Sequence, residues 1–178
     1  MPWFTARAIT LLEELLQDGD RVLEFGSGRS TIWFAKRCSH VLSIEHDSRW
    51  FASVQGRLSS FDNVDYRLKS LHAQDGHVPE YVDFLNSVPD GSFTILVNDG
   101  RLRGLVARYS FDKVAPGGIF VVDNAERYLP NTFAVPSSRG LSAADGDWLE
   151  FQERTRSWRK IWTTNGVTTT LLLFKPCE

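Results

Sequence analysis

Val22-Leu23-Glu24-Phe25-Gly26-Ser27-Gly28-Arg29-Ser30-Thr31 is the stretch that decides the fold. Val22 to Phe25 reads as a buried strand, Gly26-Ser27-Gly28 as a tight turn, and Ser30-Thr31 as the opening of a helix. Two glycines let the backbone turn with positive φ and let a ligand come close to the main chain. The helix that follows aims its free N–H groups and the positive end of its dipole into the same space. This is the opening of a nucleotide-binding α/β domain, with a departure. A dinucleotide fingerprint places a small residue three positions after the second glycine, and here that position holds Thr31. Glu24, at the strand end, would repel a pyrophosphate and welcome a cationic group.

Working outward, the apolar spacing of Ile9, Leu12, Leu15 and Leu16 predicts a helix over 6–17 before this strand, ended by Asp18-Gly19-Asp20. A second helix is expected over 31–37, with Ile32, Phe34 and Ala35 to bury. Val41-Leu42-Ser43-Ile44-Glu45 is a second strand, and 48–60 an amphipathic helix using Trp50, Phe51, Val54 and Leu58. A short strand is expected over 64–68 and a helix over 79–86. Phe93 to Val97 is nearly all apolar, the mark of a strand covered on both faces. It ends in Asn98-Asp99-Gly100. A helix over 102–114 leads through Ala115-Pro116-Gly117-Gly118 to a strand over 119–122 that ends in Asp123-Asn124. Strands alternating with helices imply a mostly parallel sheet with right-handed crossovers. The tail breaks the rhythm: strands over 158–163 and 168–174 flank Asn165-Gly166, a hairpin signal. Residues 126–157, rich in Pro, Ser, Gly and aromatics, follow neither period.

The chain has 178 residues, 42% hydrophobic and 24% charged, which suits one domain with a substantial core. A net charge of −2 gives no broad attraction for nucleic acid. Arg154-Thr155-Arg156-Ser157-Trp158-Arg159-Lys160 is the one basic run with an aromatic inside it, and it reads better as a solvated strand rim with Trp158 packed inward. Cys38 and Cys177 form neither a metal nor a disulfide framework, so a reducing cytoplasmic location is expected. The first residues lack a signal-peptide pattern, and the longest apolar run, 171–174, is too short to span a bilayer.

Ligands of such folds bind beyond the carboxyl ends of the strands, where the strand order reverses. Four ends carry polar groups: Glu24 with its turn, Glu45, Asp99 and Asp123-Asn124. Glu45 is either a solvated strand-end carboxylate or an acceptor for both ribose hydroxyls of a nucleoside. Its distance of about twenty residues from the glycine turn supports the second reading. His46 and Asp47 would then border the adenine. Asp99, Asp123 and Asn124 can each serve their own turns. Together they would converge three oxygen ligands on one crevice, a set suited to Mg²⁺ or Ca²⁺.

In that order, VLEFGSGRST, VLSIEHD, FTILVNDGRLR and KVAPGGIFVVDN resemble the class I S-adenosylmethionine-dependent methyltransferases. The resemblance implies a Rossmann-like, doubly wound, seven-stranded sheet with an antiparallel C-terminal hairpin. It implies S-adenosylmethionine as cofactor. Glu24, Gly26, Ser27 and Gly28, with Ser30 and Thr31 at the helix start, would surround its methionine part. Glu45 would hold its ribose, and His46, Ser70 and Leu71 its adenine. Asp99 would lie between donor and acceptor. Asp99 with Asp123-Asn124 is similar to the metal site of catechol O-methyltransferase-like enzymes, which implies Mg²⁺. The chain departs after Asp99: Gly100-Arg101-Leu102-Arg103 offers no lysine base, and Arg101 or Arg103 would instead meet an anionic acceptor.

The reading is methyl transfer to a small-molecule acceptor, at oxygen, with Asp99, a metal, His72 or His77 taking the proton. Residues 126–157, with Tyr128, Phe133 and Trp148, are the expected acceptor-side cover. The expected partner is the small-molecule acceptor, with a homodimer admitted and neither membrane nor nucleic acid expected. Two alternatives stay open. One is a nicotinamide-dependent oxidoreductase, opposed by Glu24 and Thr31. The other is a non-catalytic cofactor-binding subunit of a partner.

Overall fold

Each strand that the sequence marks by a run of β-branched and aliphatic residues lies in one sheet. We describe residues 1–73 and 77–177 of a computed structural model of the chain. The elements in order are α1 (Ala6–Leu15), β1 (Arg21–Phe25), α2 (Arg29–Ala35), β2 (His40–Glu45), α3 (Ser48–Leu58), β3 (Val64–Leu68), α4 (Glu80–Asp83), β4 (Phe93–Asn98), α5 (Arg103–Ser110), β5 (Val114–Asp123), α6 (Gly146–Arg154), β6 (Arg159–Thr164) and β7 (Thr169–Phe174). Seven strands pair in the order β3-β2-β1-β4-β5-β7-β6. The first five are parallel, and β7 runs antiparallel to β5 and β6. The chain starts its sheet at β1, builds to one side through β2 and β3, then returns to β4 on the other side of β1. That reversal places the switch point between β1 and β4.

Two apolar layers cover the sheet. Leu23, Phe25, Leu96, Phe120 and Val122 point to the face covered by α4, α5 and α6, where Tyr81, Val106, Trp148 and Phe151 pack. Val22, Val41, Ile95, Val97 and Val121 point to the opposite face, under Phe4, Ile9, Leu12, Trp33 and Phe34. The alternation along β1 and β4 follows the two-residue period of a strand. The doubly wound, mostly parallel sheet with its antiparallel hairpin is therefore the architecture expected from the sequence.

Element ends differ in informative ways. α1 stops at Leu15, which is 41% exposed, and buries Ala8, Ile9 and Leu12 instead. α2 begins at Arg29 and buries Trp33 rather than Ile32. β5 begins at Val114, so Pro116-Gly117-Gly118 lies inside a strand rather than stopping a helix. A Cβ on Gly118 would fall 2.6 Å from Thr94 O, so only glycine lets β5 come this close to β4. Residues 126–157 hold α6, which buries Trp148 and Phe151 against the core and ties to α5 through Arg108 with Asp147 and Glu150. Among the described residues, no helix is long and apolar enough to cross a membrane.

Candidate functional site

The loops after β1, β2, β4 and β5 open onto one cavity of about 850 Å³. Its walls include Gly26, Ser27, Gly28 and Ser30 after β1, Glu45, His46 and Asp47 after β2, Asp99, Gly100 and Arg101 after β4, and Asp123 and Asn124 after β5. The cavity therefore sits at the carboxyl ends of the strands and straddles the switch point, where such sheets bind ligands.

The floor is made by main chain. Gly26 has φ +91°, and a Cβ there would lie 2.8 Å from the carbonyl carbon and oxygen of Asp99. The β1 and β4 loops thus cross in direct backbone contact, and Gly26 is required by both conformation and space. Gly26 N–H donates to Ile44 O at 3.0 Å, and Asp99 N–H to Phe25 O at 3.0 Å. Below the turn, Glu24 is fully buried. Its Oε2 accepts from the hydroxyls of Thr31 at 2.5 Å and Ser43 at 2.6 Å, and Thr31 Oγ1 accepts from Gly28 N–H at 2.8 Å. Glu24 Oε1 has no hydrogen-bond partner among the described residues. Burial pushes the carboxyl of Glu24 above its ordinary pKa, against the hydroxyls that hold its ionised form. Glu24 and Thr31 were expected on the ligand; neither lines the cavity, and both brace the turn from beneath.

Glu45 does line it. Its Oε1 accepts from the N–H groups of His46 at 2.7 Å and Asp47 at 2.9 Å, and its Oε2 from Ser27 N–H at 3.3 Å. The carboxylate is thus held on the end of β2 and joined to the glycine turn of β1. Asp47 caps α3, accepting from the N–H groups of Arg49 and Trp50 at 2.9 Å each, and these donors hold its carboxyl below the usual range. Trp50 was expected in the core. It is 41% exposed, lines the cavity, and donates from Nε1 to Ser27 O at 2.8 Å. Ser70, Leu71 and His72 line a second cavity of about 350 Å³, which shares His46 with the first. His72 and His77 are absent from the walls of the main cavity.

At the other end, Asp99 and Asp123 meet. Asp99 Oδ1 accepts from Arg103 Nη2 at 2.7 Å; Asp123 Oδ1 accepts from Thr170 Oγ1 at 2.9 Å. The Arg103 guanidinium also donates to the main-chain oxygens of Asp99, Gly100 and Asp123. It clamps the tips of β4 and β5. Burial raises Asp99 to about 6, opposed by Arg103, and raises Asp123 to about 7, reinforced by the charge of Asp99. Arg103 favours the ionised form of Asp99, and the charge of Asp99 favours the protonated form of Asp123. Arg103 occupies the neighbourhood that the oxygen set had suggested for a divalent ion. Asp99, Asp123 and Asn124 bring their oxygens to one wall of the cavity, with the Arg103 guanidinium paired to Asp99 beside them. Among the described residues, no group of three His, Cys, Asp or Glu could hold a metal.

Residues 126–157, expected as the acceptor-side cover, supply none of the cavity's walls among the described residues. Tyr128 stacks on buried Trp148 at 5.0 Å, and Phe133 packs against Trp162. The mouth is instead flanked by Trp3, Arg29 and Thr168, none of which sequence reasoning singled out. Trp158 is buried and stacked on Phe111 at 4.9 Å, and Arg154 pairs with Asp112. The basic run spans the end of α6 and the turn into β6, and only Arg159 and Lys160 lie on the edge strand.

No family model matches the chain, and no curated protein matches it. Solved structures do. A methyltransferase from Geobacter sulfurreducens aligns over 98% of this chain and 80% of its own, at 16% identity and a TM-score of 0.62. An rRNA methylase from Streptococcus thermophilus aligns over 97% and 95%, at 12% identity and 0.60. The N-methyltransferase NodS from Bradyrhizobium japonicum aligns over 97% and 96%, at 15% identity and 0.59. At these identities the likeness is one of fold: this chain has the class I methyltransferase fold over nearly its whole length.

Proposed function

We propose that this chain transfers a methyl group from S-adenosylmethionine to an oxygen of a small-molecule acceptor. The observation that carries the reading is the course of the cavity. It runs from His46, where the second cavity adjoins, past Glu45 and the glycine turn, to the Asp99–Asp123 pair. That order suits adenine, ribose, methionine and reacting centre in turn. S-adenosylmethionine would supply a methyl already activated on a sulfonium, so the protein's task is alignment and exclusion of water.

Glu45 would accept from the ribose hydroxyls through its less occupied Oε2, and His46, Ser70 and Leu71 would border the adenine. Gly26, Ser27, Gly28 and Ser30 would face the methionine part. Glu24 and Thr31 act one layer below, fixing the turn and placing a carboxyl beneath a cationic ligand. The acceptor lies beyond β4 and β5, where its hydroxyl must lose a proton. The Asp99–Asp123 pair, poised near neutrality, is the base the site offers. Arg101 stands on the rim as a cation for the acceptor side.

In this reading Arg103 supplies the positive charge at the strand tips, and no divalent ion is needed. Incubation with methyl-labelled S-adenosylmethionine and a panel of phenolic and hydroxy acids should label an acceptor at the same rate with and without excess chelator. A rate abolished by chelator and restored by Mg²⁺ would return the metal to the site. Label that appears only when amines replace these hydroxyl acceptors would contradict the oxygen assignment.

A further inference from the structure

Trp3 is 71% exposed, although Pro2 and Phe4 on either side of it are buried. Its position is not that of a loose segment. Thr5, the N-cap of α1, donates its N–H to Thr170 Oγ1 at 3.0 Å, and its hydroxyl lies 2.5 Å from Thr163 Oγ1. Thr170 Oγ1 in turn donates to Asp123 Oδ1 at 2.9 Å. The residues that place the indole are therefore tied to the carboxyl pair by two hydrogen bonds. The fold fastens this segment and still leaves its largest apolar side chain at the mouth of the cavity.

Arg29 lies over one face of this ring, with its guanidinium carbon 5.7 Å from the indole centroid, which leaves the other face for a ligand. Arg29 is exposed and has no ion-pair partner among the described residues. The nearby rim holds Thr168 and Asn124, the latter at φ +51°, a left-handed conformation that a non-glycine residue adopts at some cost. An indole face, an unneutralised guanidinium and two polar side chains thus line the same cavity as Asp123. An indole offers a ring a stacking surface, and a guanidinium offers a carboxylate or phosphate two parallel donors.

We propose that this corner is the acceptor subsite, and that it selects molecules joining a flat ring to an anionic group. The ring stacks on Trp3 and the anion pairs with Arg29. The assignment rests on the methyl-transfer reading only for the word acceptor, because the binding itself can be measured alone.

Phenyl phosphate, phenol and inorganic phosphate are the probes, titrated calorimetrically into the protein with and without saturating S-adenosylhomocysteine. Phenyl phosphate should bind at least tenfold more tightly than either single-feature probe. Arg29→Gln should reduce it to the level of phenol, and Trp3→Ala to that of phosphate, while both variants keep the wild-type affinity for S-adenosylhomocysteine within about twofold. Equal binding of the three probes overturns the proposal. So does retention of phenyl phosphate by both variants, or its loss in Arg101→Gln but not Arg29→Gln. Loss of S-adenosylhomocysteine binding in Arg29→Gln would give that arginine to the cofactor and overturn it too. If the wild type binds phenyl phosphate in this pattern but not S-adenosylhomocysteine, the methyl-transfer reading fails and the subsite stands.

Discussion

Glu45 serves three main-chain N–H groups and still faces the cavity. A carboxylate so held is preorganised to accept from a ligand hydroxyl, and hydrogen bonds to charged groups are worth about 1.5–3 kcal/mol. Glu45→Gln should weaken S-adenosylhomocysteine binding by about that amount in a calorimetric titration; unchanged affinity would remove Glu45 from the ribose. Asp123 gives a second test at this scale. Its folded pKa of about 7 lies above the ordinary 3.8, so folding favours the protonated form. The stability this proton contributes is complete below pH 3.8 and is lost as pH rises through about 7. Asp99, raised to about 6, acts in the same direction, with Arg103 opposing. The melting temperature should therefore fall between about pH 4 and about pH 7, and Asp123→Asn should flatten that fall; parallel profiles would contradict the pairing. These carboxyls were legible in the sequence as a cluster of oxygens. What it did not show was that Arg103, expected on an acceptor, turns back across the β4 loop and pairs with Asp99.

The site depends on how closely β1 and β4 approach. A methyl on Gly26 would meet the Asp99 backbone at 2.8 Å and would impose a strained positive φ. Gly26→Ala should cost about 1–3 kcal/mol in chemical denaturation and disturb cofactor binding. Gly56→Ala, in open space on α3, should instead stabilise by about 0.4–1 kcal/mol. Equal effects of the two would refute the crossing. At this scale the central strands were easy to read, because both faces of β1 and β4 are buried and leave continuous apolar runs. The start of β5 was not, since Pro116-Gly117-Gly118 carries the same residues as a helix stop. α6 was hidden because its nine residues bury Trp148 and Phe151 within a stretch otherwise rich in turn formers. Trp50 was misread because helical spacing marks a face and does not say whether protein or ligand covers it.

On the scale of the whole molecule, the sheet divides the work. One layer buries α4, α5 and α6, the other buries α1, α2 and the N-terminal segment that carries Trp3, and the strand tips between them hold the cavity. Leu129, Ala144, Trp148 and Phe151, all within residues 126–157, belong to the first layer. The ordered motifs carried Gly26, Ser27, Gly28, Glu45, His46 and Asp99, which line one cavity because each lies at or just past a strand end. Trp3, Arg29, Asn124 and Thr168 come from distant parts of the chain, and only the fold brings them to one cavity. The central claim is that this cavity binds S-adenosylmethionine. The measurement that tests it most directly is a thermal-shift titration with S-adenosylmethionine, S-adenosylhomocysteine and NAD⁺ side by side. At one hundred times its Kd, a ligand of the native state adds about 2.7 kcal/mol of stability. The account predicts that shift for the two adenosyl-sulfur compounds and none for NAD⁺. A shift with NAD⁺ alone, or with none of the three, would contradict it.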